Sequence, residues 1–190
     1  MSEPDHSARD LLFKTAIALM SKKGYHGTSM SDLEKGSGLG RSSIYHYVRS
    51  KEALLAEICD ASTRRQASIA KAIVDAEEPP RTQLFMLIEA LVTEIVENRD
   101  RALVSLREFH FLKGDYRKSV VANRTEYEGH WRTVLQRCID EKLIDGFSEF
   151  DLNATLGMVN FSAVWMHRAP QESPQRMAER FTALIMKGLS

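Results

Sequence analysis

The chain reads as an all-α protein of about nine helices, a short N-terminal helix-turn-helix module followed by a larger helical domain. Apolar residues recur at helical spacing almost throughout, and no segment alternates strictly as a half-buried strand would. Glycine and proline are sparse, at 10 and 5 of 190 residues, so breaks between helices are few and easily placed. With 43% hydrophobic and 27% charged residues, the composition is that of an ordinary globular chain with a substantial core.

The first helix is expected over Ser7–Lys23, with Phe13, Ile17 and Met20 on one face and Gly24 as its stop. Ser29, with Asp32 three residues on, caps a short second helix reaching Gly36, and a third occupies Arg41–Tyr47. Their connector is Ser37-Gly38-Leu39-Gly40. Ser50 caps a long fourth helix, residues 51–76, with Glu52 favourably placed in its first turn. Pro79 and Pro80 end it. Further helices are expected over Thr82–Asn98, Arg101–Leu112, Asp115–Lys142, Glu149–Arg168 and Ser173–Gly188, the last opened by a Ser173 cap and Pro174. Met177, Phe181, Leu184 and Ile185 make one apolar stripe and Leu152, Leu156 and Val159 another, so these two helices are expected to bury each other.

Several function classes recede on composition alone. The opening MSEPDHSARD is polar and acidic, unlike a signal peptide, and even LFMLIEALV is broken by Glu89, so no run approaches the roughly 20 apolar residues of a membrane span. A cytoplasmic protein without membrane contact is expected. Cys59 and Cys138 are too few for a disulfide framework and match no metal-ligand spacing, so both are read as buried, reduced thiols, with no metal and no cofactor. The six histidines show no ligand spacing, and neither a G-x-S-x-G elbow nor an H-E-x-x-H pair occurs. A helical enzyme is the alternative that these absences make least attractive.

A formal net charge of zero gives nucleic-acid binding no general support, so the case must be local. Two short helices joined by a tight glycine-containing turn, behind an amphipathic supporting helix, form the arrangement that reads a major groove. Arg41, Ser42 and Ser43 open the second of the pair, where side chains reach base edges, while Tyr45, His46, Tyr47 and Lys51 can reach phosphates. From Gly36 to Lys51 the charged residues are Arg41, Arg49 and Lys51, all basic. The free N–H groups beside Ser50 add an anion site. Taken singly, Tyr45 also reads as a core aromatic, and Arg49 with Lys51 as a solvated helix start. A phosphate-cradling loop at GSGLG, Gly36–Gly40, is disfavoured because no strand precedes it.

The run GYHGTSMSDLEKGSGLGRSSIYHYVRSKEALL, Gly24–Leu55, resembles the TetR family of transcriptional regulators. The resemblance rests on Gly24-Tyr25, Ser29, Leu33, Gly38-Leu39, Ile44-Tyr45, Tyr47-Val48, Lys51-Glu52 and Leu54-Leu55. It implies that Arg41, Ser42, Ser43 and His46 face the groove and that Ser29, Tyr45, Tyr47 and Lys51 contact phosphates of double-stranded, palindromic operator DNA. Three residues depart from the usual pattern: Glu34 and Ser37 stand where small residues pack, and Gly40 where Ser or Thr caps. The resemblance further implies a DNA-binding domain, 1–50, and a ligand-binding and dimerisation domain, 51–190, with helix 51–76 linking them and a homodimer through the last two helices. Repression, and release of DNA when a small apolar molecule enters the C-terminal core, are the implied function. The fourth helix, touching both modules, would transmit the change.

Candidate lining for that core is Phe85, Ile88 and Leu91, then Phe109, Arg124, Tyr127, Trp131, Phe161 and Trp165; each aromatic also reads as simple core filling. Buried polar residues on these helices, among His110, Arg124, His130, Asn160 and Arg168, would be more informative, because a buried charge needs a partner. Leu156–Leu189, with Asn160, Trp165 and a proline-containing break, is similar to a TetR subgroup controlling fatty-acid or sterol breakdown, which implies an acyl-CoA thioester as effector. Arg99, Arg101, Lys118 and Arg124 are then candidates to neutralise a coenzyme A phosphate, or else a solvated face. A regulator of drug efflux or another catabolic operon, answering to a non-CoA apolar ligand, stays open.

Overall fold

The computed structural model describes residues 3–166 and 172–189. Among the described residues the chain forms nine α-helices and one 3-10 turn, with no strand. In order they are α1 (Glu3–Gly27), α2 (Met30–Ser37), α3 (Arg41–Tyr47), α4 (Lys51–Asp75), α5 (Pro80–Glu97), α6 (Arg99–Arg107), the 3-10 turn (Phe109–Phe111), α7 (Gly114–Asp140), α8 (Glu149–Trp165) and α9 (Pro174–Gly188). None of the described helices is long and apolar enough to cross a membrane.

Helix starts follow local chemistry. Ser29 and Ser148 each form a reciprocal capping box, with Asp32 and Asp151 respectively, and Ser50 and Ser173 accept from backbone N–H groups of α4 and α9. Pro80 and Pro174 occupy first-turn positions where no amide donor is needed. Gly24 interrupts α1 with φ 75°, after which the chain resumes a short turn to Gly27.

Two apolar cores result. The N-terminal one gathers Leu12, Ala16 and Met20 of α1, Leu33 of α2, Ile44 of α3 and the first turns of α4 through Cys59. Val104 of α6, Leu112 after the 3-10 turn and Val120 of α7 close it. The C-terminal core is built around α5, whose Leu84, Leu87, Ile88, Leu91, Val92 and Ile95 meet Trp131, Val134 and Leu135 of α7, with α8 and α9 alongside. The long α4 packs along α7 and feeds both cores, giving Leu54, Leu55 and Ile58 to one and Ala67, Ala70 and Ile73 to the other.

Three expectations are corrected. The sixth helix ends at Arg107 rather than running to Leu112: the chain leaves it at Glu108, and the tighter turn brings both Phe109 and Phe111 against the N-terminal core. The stripes of α8 and α9 do not chiefly bury each other; each packs on α5, which both flank. Leu184 departs from its stripe and is 59% exposed, because its neighbours Phe181 and Ile185 take the inward face. The expected end of the eighth helix, and Arg168 with it, lies outside the described residues.

Both cysteines are free and buried, and burial pushes each thiol up to about 11, which leaves them protonated and unreactive at neutral pH.

Candidate nucleic-acid interface and effector core

Helix α3 is held by one apolar side chain and presents the rest outward. Ile44 is fully buried, while Arg41, Ser42, Ser43, Tyr45 and His46 are exposed and Tyr47 is half-buried against the N-terminal core. The turn before it has a steric origin. A Cβ at Gly36 would lie 2.7 Å from Cγ2 of Thr15, so only glycine lets α2 approach α1 this closely. Gly38 closes α2 with φ 69°, a left-handed conformation suited to glycine. Ser37, one of the departures from the family pattern, is buried and useful there: its hydroxyl donates to the Leu33 carbonyl at 2.6 Å and accepts from the Leu39 amide at 3.3 Å. Gly40 caps α3 with backbone alone. Glu34 lies 3.9 Å from the Arg41 guanidinium, which also sits over the Tyr45 ring at 5.9 Å.

Two of the sequence-derived phosphate contacts are engaged within the protein. Ser29 is exposed, but its hydroxyl serves the capping box, donating to Asp32 at 2.8 Å. Lys51 points inward: its ammonium donates to the Tyr25 and Thr28 carbonyls, both at 2.7 Å, and lies 4.3 Å above the Tyr25 ring. Burial pushes its pKa down. Lys51 therefore braces the turn between α1 and α2, and the start of α4 is capped by Ser50, whose side chain accepts from the Ala53 amide.

The same turn is gripped from the C-terminal domain, which the sequence pattern does not reveal. Glu108 accepts the Tyr25 amide proton at 2.8 Å, Phe111 stacks on Tyr25 at 5.8 Å, and His26 meets Phe111 edge-on at 4.3 Å. Glu52 accepts from the Lys113 amide at 2.8 Å, and Ser21 donates to Asp100 at 2.8 Å. The end of α6 and its 3-10 turn thus form a latch on the N-terminal module. The hydrogen-bonded pair Tyr25–Glu108 alone is 83 residues apart, so no local motif signals the latch.

The candidate effector residues fall into separate places. Ile88, Leu91, Tyr127 and Trp131 share the C-terminal core, where Trp131 is fully buried and Tyr127 is 8% exposed. Phe109 belongs with the N-terminal core, and Arg124 lies on it, its guanidinium 3.8 Å from the ring and donating to the Ser105 carbonyl at 3.0 Å. Phe85 lines a groove with Arg81, Thr182 and Ala183 between α5 and α9. Phe161 and Trp165 are 55% and 38% exposed on α8, which turns Val159, Ser162 and Ala163 inward, and the Trp165 ring lies 6.5 Å from that of Phe181 at the edge of the core. The cations proposed for a phosphate are similarly dispersed. Arg99 donates to the Ala163 carbonyl, Arg101 lies 3.9 Å from Glu94, and Lys118 pairs with Asp115 in solvent.

Buried polar atoms without hydrogen-bond partners concentrate in the C-terminal helices: Tyr127 Oη, Trp131 Nε1, His130 Nε2 and Ser162 Oγ. Burial drives the Tyr127 phenol strongly upward in pKa; the Trp131 indole N–H, which bears on it without hydrogen-bond geometry, tempers that rise. Asn160 is spent on the Leu156 carbonyl, and His110 lies exposed beside Phe111.

Comparison with known proteins fits this geometry. The chain is 23% identical to the transcriptional repressor KstR2 of Mycobacterium tuberculosis over 193 residues, covering 97% of this chain and 94% of the relative. The regulator PfmR of Thermus thermophilus superposes with a TM-score of 0.84 at 24% identity, over 94% of this chain and 98% of its own. AibR, solved with isovaleryl coenzyme A and operator DNA, superposes with a TM-score of 0.82 at 19% identity, over 93% and 97%. At such identities the solved structures establish the fold. The profile of bacterial regulatory proteins of the tetR family matches residues 12–58, and that of the tetracyclin repressor-like C-terminal domain matches 77–189. With the second alone spanning more than half of the sequence, the chain belongs to the tetR family of transcriptional regulators.

Proposed function

We propose that this protein is a cytoplasmic repressor that binds a palindromic operator as a homodimer and lets go when an acyl-CoA thioester enters the C-terminal core. The carrying observation is α3, a short helix anchored by the fully buried Ile44 with Arg41, Ser42, Ser43, Tyr45 and His46 turned outward. Residues 1–50 are the reading unit and 51–190 the effector and dimer unit, with α4 shared between their cores.

Dimerisation is supported by the outer face of the last helices. Met158, Phe161 and Trp165 recur at helical spacing on α8 and are exposed in the single chain, as is Leu184 on α9. Joined two-fold across this face, two chains would carry two α3 helices, as a palindromic site requires. The effector class is supported by the isovaleryl coenzyme A complex of AibR. Coupling runs through the Glu108–Tyr25 latch as well as α4: an effector that displaces α6 pulls on the turn between α1 and α2 and shifts the population away from the DNA-fitting spacing.

The experiment is a gel shift with a DNA site selected by the protein from a random pool, repeated across salt and acyl-CoA concentrations. A palindromic site, steep salt dependence and loss of the shift on adding acyl-CoA are expected. Failure to select a site overturns the DNA reading, and an acyl-CoA-insensitive shift overturns the effector class.

A further inference from the structure

Three of the unpartnered polar atoms lie among apolar neighbours in the C-terminal core. Trp131 and Ser162 are fully buried and Tyr127 is 8% exposed, yet the indole N–H and both hydroxyls lack hydrogen-bond partners. Tyr127 and Trp131 stand one turn apart on α7, their rings edge-on with centroids 6.1 Å apart. Ser162 comes from α8, between Val159 and Ala163, which belong to the same apolar core as both rings. Folded chains pair the great majority of such groups, so several left open in one core call for a reason.

Their chemistry restricts what would complete them. An indole N–H only donates, and both hydroxyls can donate, so the missing group is an acceptor. Most of their neighbours here are aliphatic and aromatic, and the arginines nearest to them are committed elsewhere, Arg124 to Phe109 and the Ser105 carbonyl, Arg132 to Glu128 and Glu149, and Arg99 to the Ala163 carbonyl. An ionised carboxylate would stay unpaired in such surroundings, whereas a neutral carbonyl oxygen, with two lone pairs, would not. We infer that Trp131, Tyr127 and Ser162 form a carbonyl-reading subsite inside the effector core, selecting molecules that carry an ester, thioester or ketone oxygen on an apolar chain. This rests on the reading that the core admits an effector, and adds which atom of it is recognised.

The test uses the full-length protein on its selected operator and compares the concentrations of two matched pairs needed to release the DNA. One pair is an acyl-CoA and the S-alkyl-CoA thioether of the same length, which lacks the carbonyl. The other is a fatty-acid methyl ester and the corresponding alkyl methyl ether. In the wild-type protein the carbonyl member of an active pair is expected to act at about tenfold lower concentration or less, since its absence strands buried donors. Tyr127→Phe and Ser162→Ala should each narrow that ratio several-fold, and Trp131→Phe should bring it near one. Each ratio is taken within one variant, so general loosening cancels, and Tyr127→Phe removes a single oxygen, keeping the test valid should Trp131→Phe fold poorly. A wild-type ratio near one, or ratios unchanged in all three variants, overturns the subsite. If only the ester pair releases DNA, with its preference intact, the acyl-CoA reading fails and the subsite stands; if none of the four compounds acts, both fall.

Discussion

The N-terminal and C-terminal cores bury polar groups on opposite terms. Around the reading module, Lys51 fills two backbone carbonyls, Thr28 donates to the Gly24 carbonyl, Ser37 ties the turn, and Glu108 takes the Tyr25 amide proton. Glu34 Oε1, beside Arg41, and Ser105 Oγ, next to Val104 on α6, are the exceptions there. In the C-terminal domain the end of α4 is equally well served, with Gln83 donating to the Ile73 and Ala76 carbonyls and accepting from Arg137. One stretch of α7 and α8, by contrast, leaves Tyr127, Trp131 and Ser162 unpaired. A closed network gives a rigid reader whose helix spacing is its message. A core with open donors is unfinished until a guest supplies the acceptor, and that incompleteness is what makes it responsive.

The sharpest way to break this contrast is to remove the anchor of the reader. Ile44→Ala empties a fully buried site and should cost about 2–4 kcal/mol of stability, read by urea unfolding, together with loss of operator binding. Effector binding, followed by Trp fluorescence, should survive if the two cores are as separate as their compositions indicate. Loss of both functions together would mean that the shared helix α4 makes them one unit.

Next in size is the outward face of α3. Tyr47→Ala should weaken binding to operator and random DNA alike by about tenfold, the mark of a phosphate contact. Ser43→Ala, on an exposed position at the start of the helix, should instead alter preference among sites with a smaller change in overall affinity. Equal losses on specific and random DNA from both changes would remove the division between base-reading and phosphate-holding residues.

Glu108→Gln tests the join between the regions. It keeps the shape of the side chain but removes the charge that strengthens its bond to the Tyr25 amide. Operator affinity of the free protein should change little, while the effector concentration needed for release should rise severalfold. An unchanged release curve would leave α4 as the sole connection.

How much of this was readable in sequence follows the same divide. The caps at Ser29, Ser50, Ser148 and Ser173, the glycine turn and the bounds of α3 depend on residues within four positions of one another, and local chemistry specifies them. Ser148 carries the same signature as Ser29, an acidic residue three positions on, Asp151, completing a capping box. Lys51 was legible as a cation but not in its direction, because the carbonyls it fills are 23 and 26 residues away. The latch at Glu108 and Phe111 carries no periodic or motif signal, and the dispersal of Phe85, Phe109, Phe161 and Trp165 followed from helix packing around α5, which composition cannot order. Aromatic residues mark a core; which of them face one another is decided by the crossing of helices.

The smallest effect compares two matching devices, the capping boxes of α2 and α8. Amide and hydroxyl of Ser29 hold the Asp32 carboxyl down to about 2 from an ordinary 3.8, and hydroxyl and amide of Ser148 likewise lower Asp151. Since the folded state releases these protons more readily than the unfolded chain, each box contributes fully above about pH 4, and its contribution is lost as pH falls through the depressed value. Carboxyl NMR titrations should find both aspartates below the ordinary range, and Asp32→Asn should remove the low-pH fraying of α2 while leaving that of α8. If Asp32 titrated normally, the box would not hold the helix that positions the recognition turn, and the rigidity ascribed to the reader would have to come from Lys51 and the latch alone.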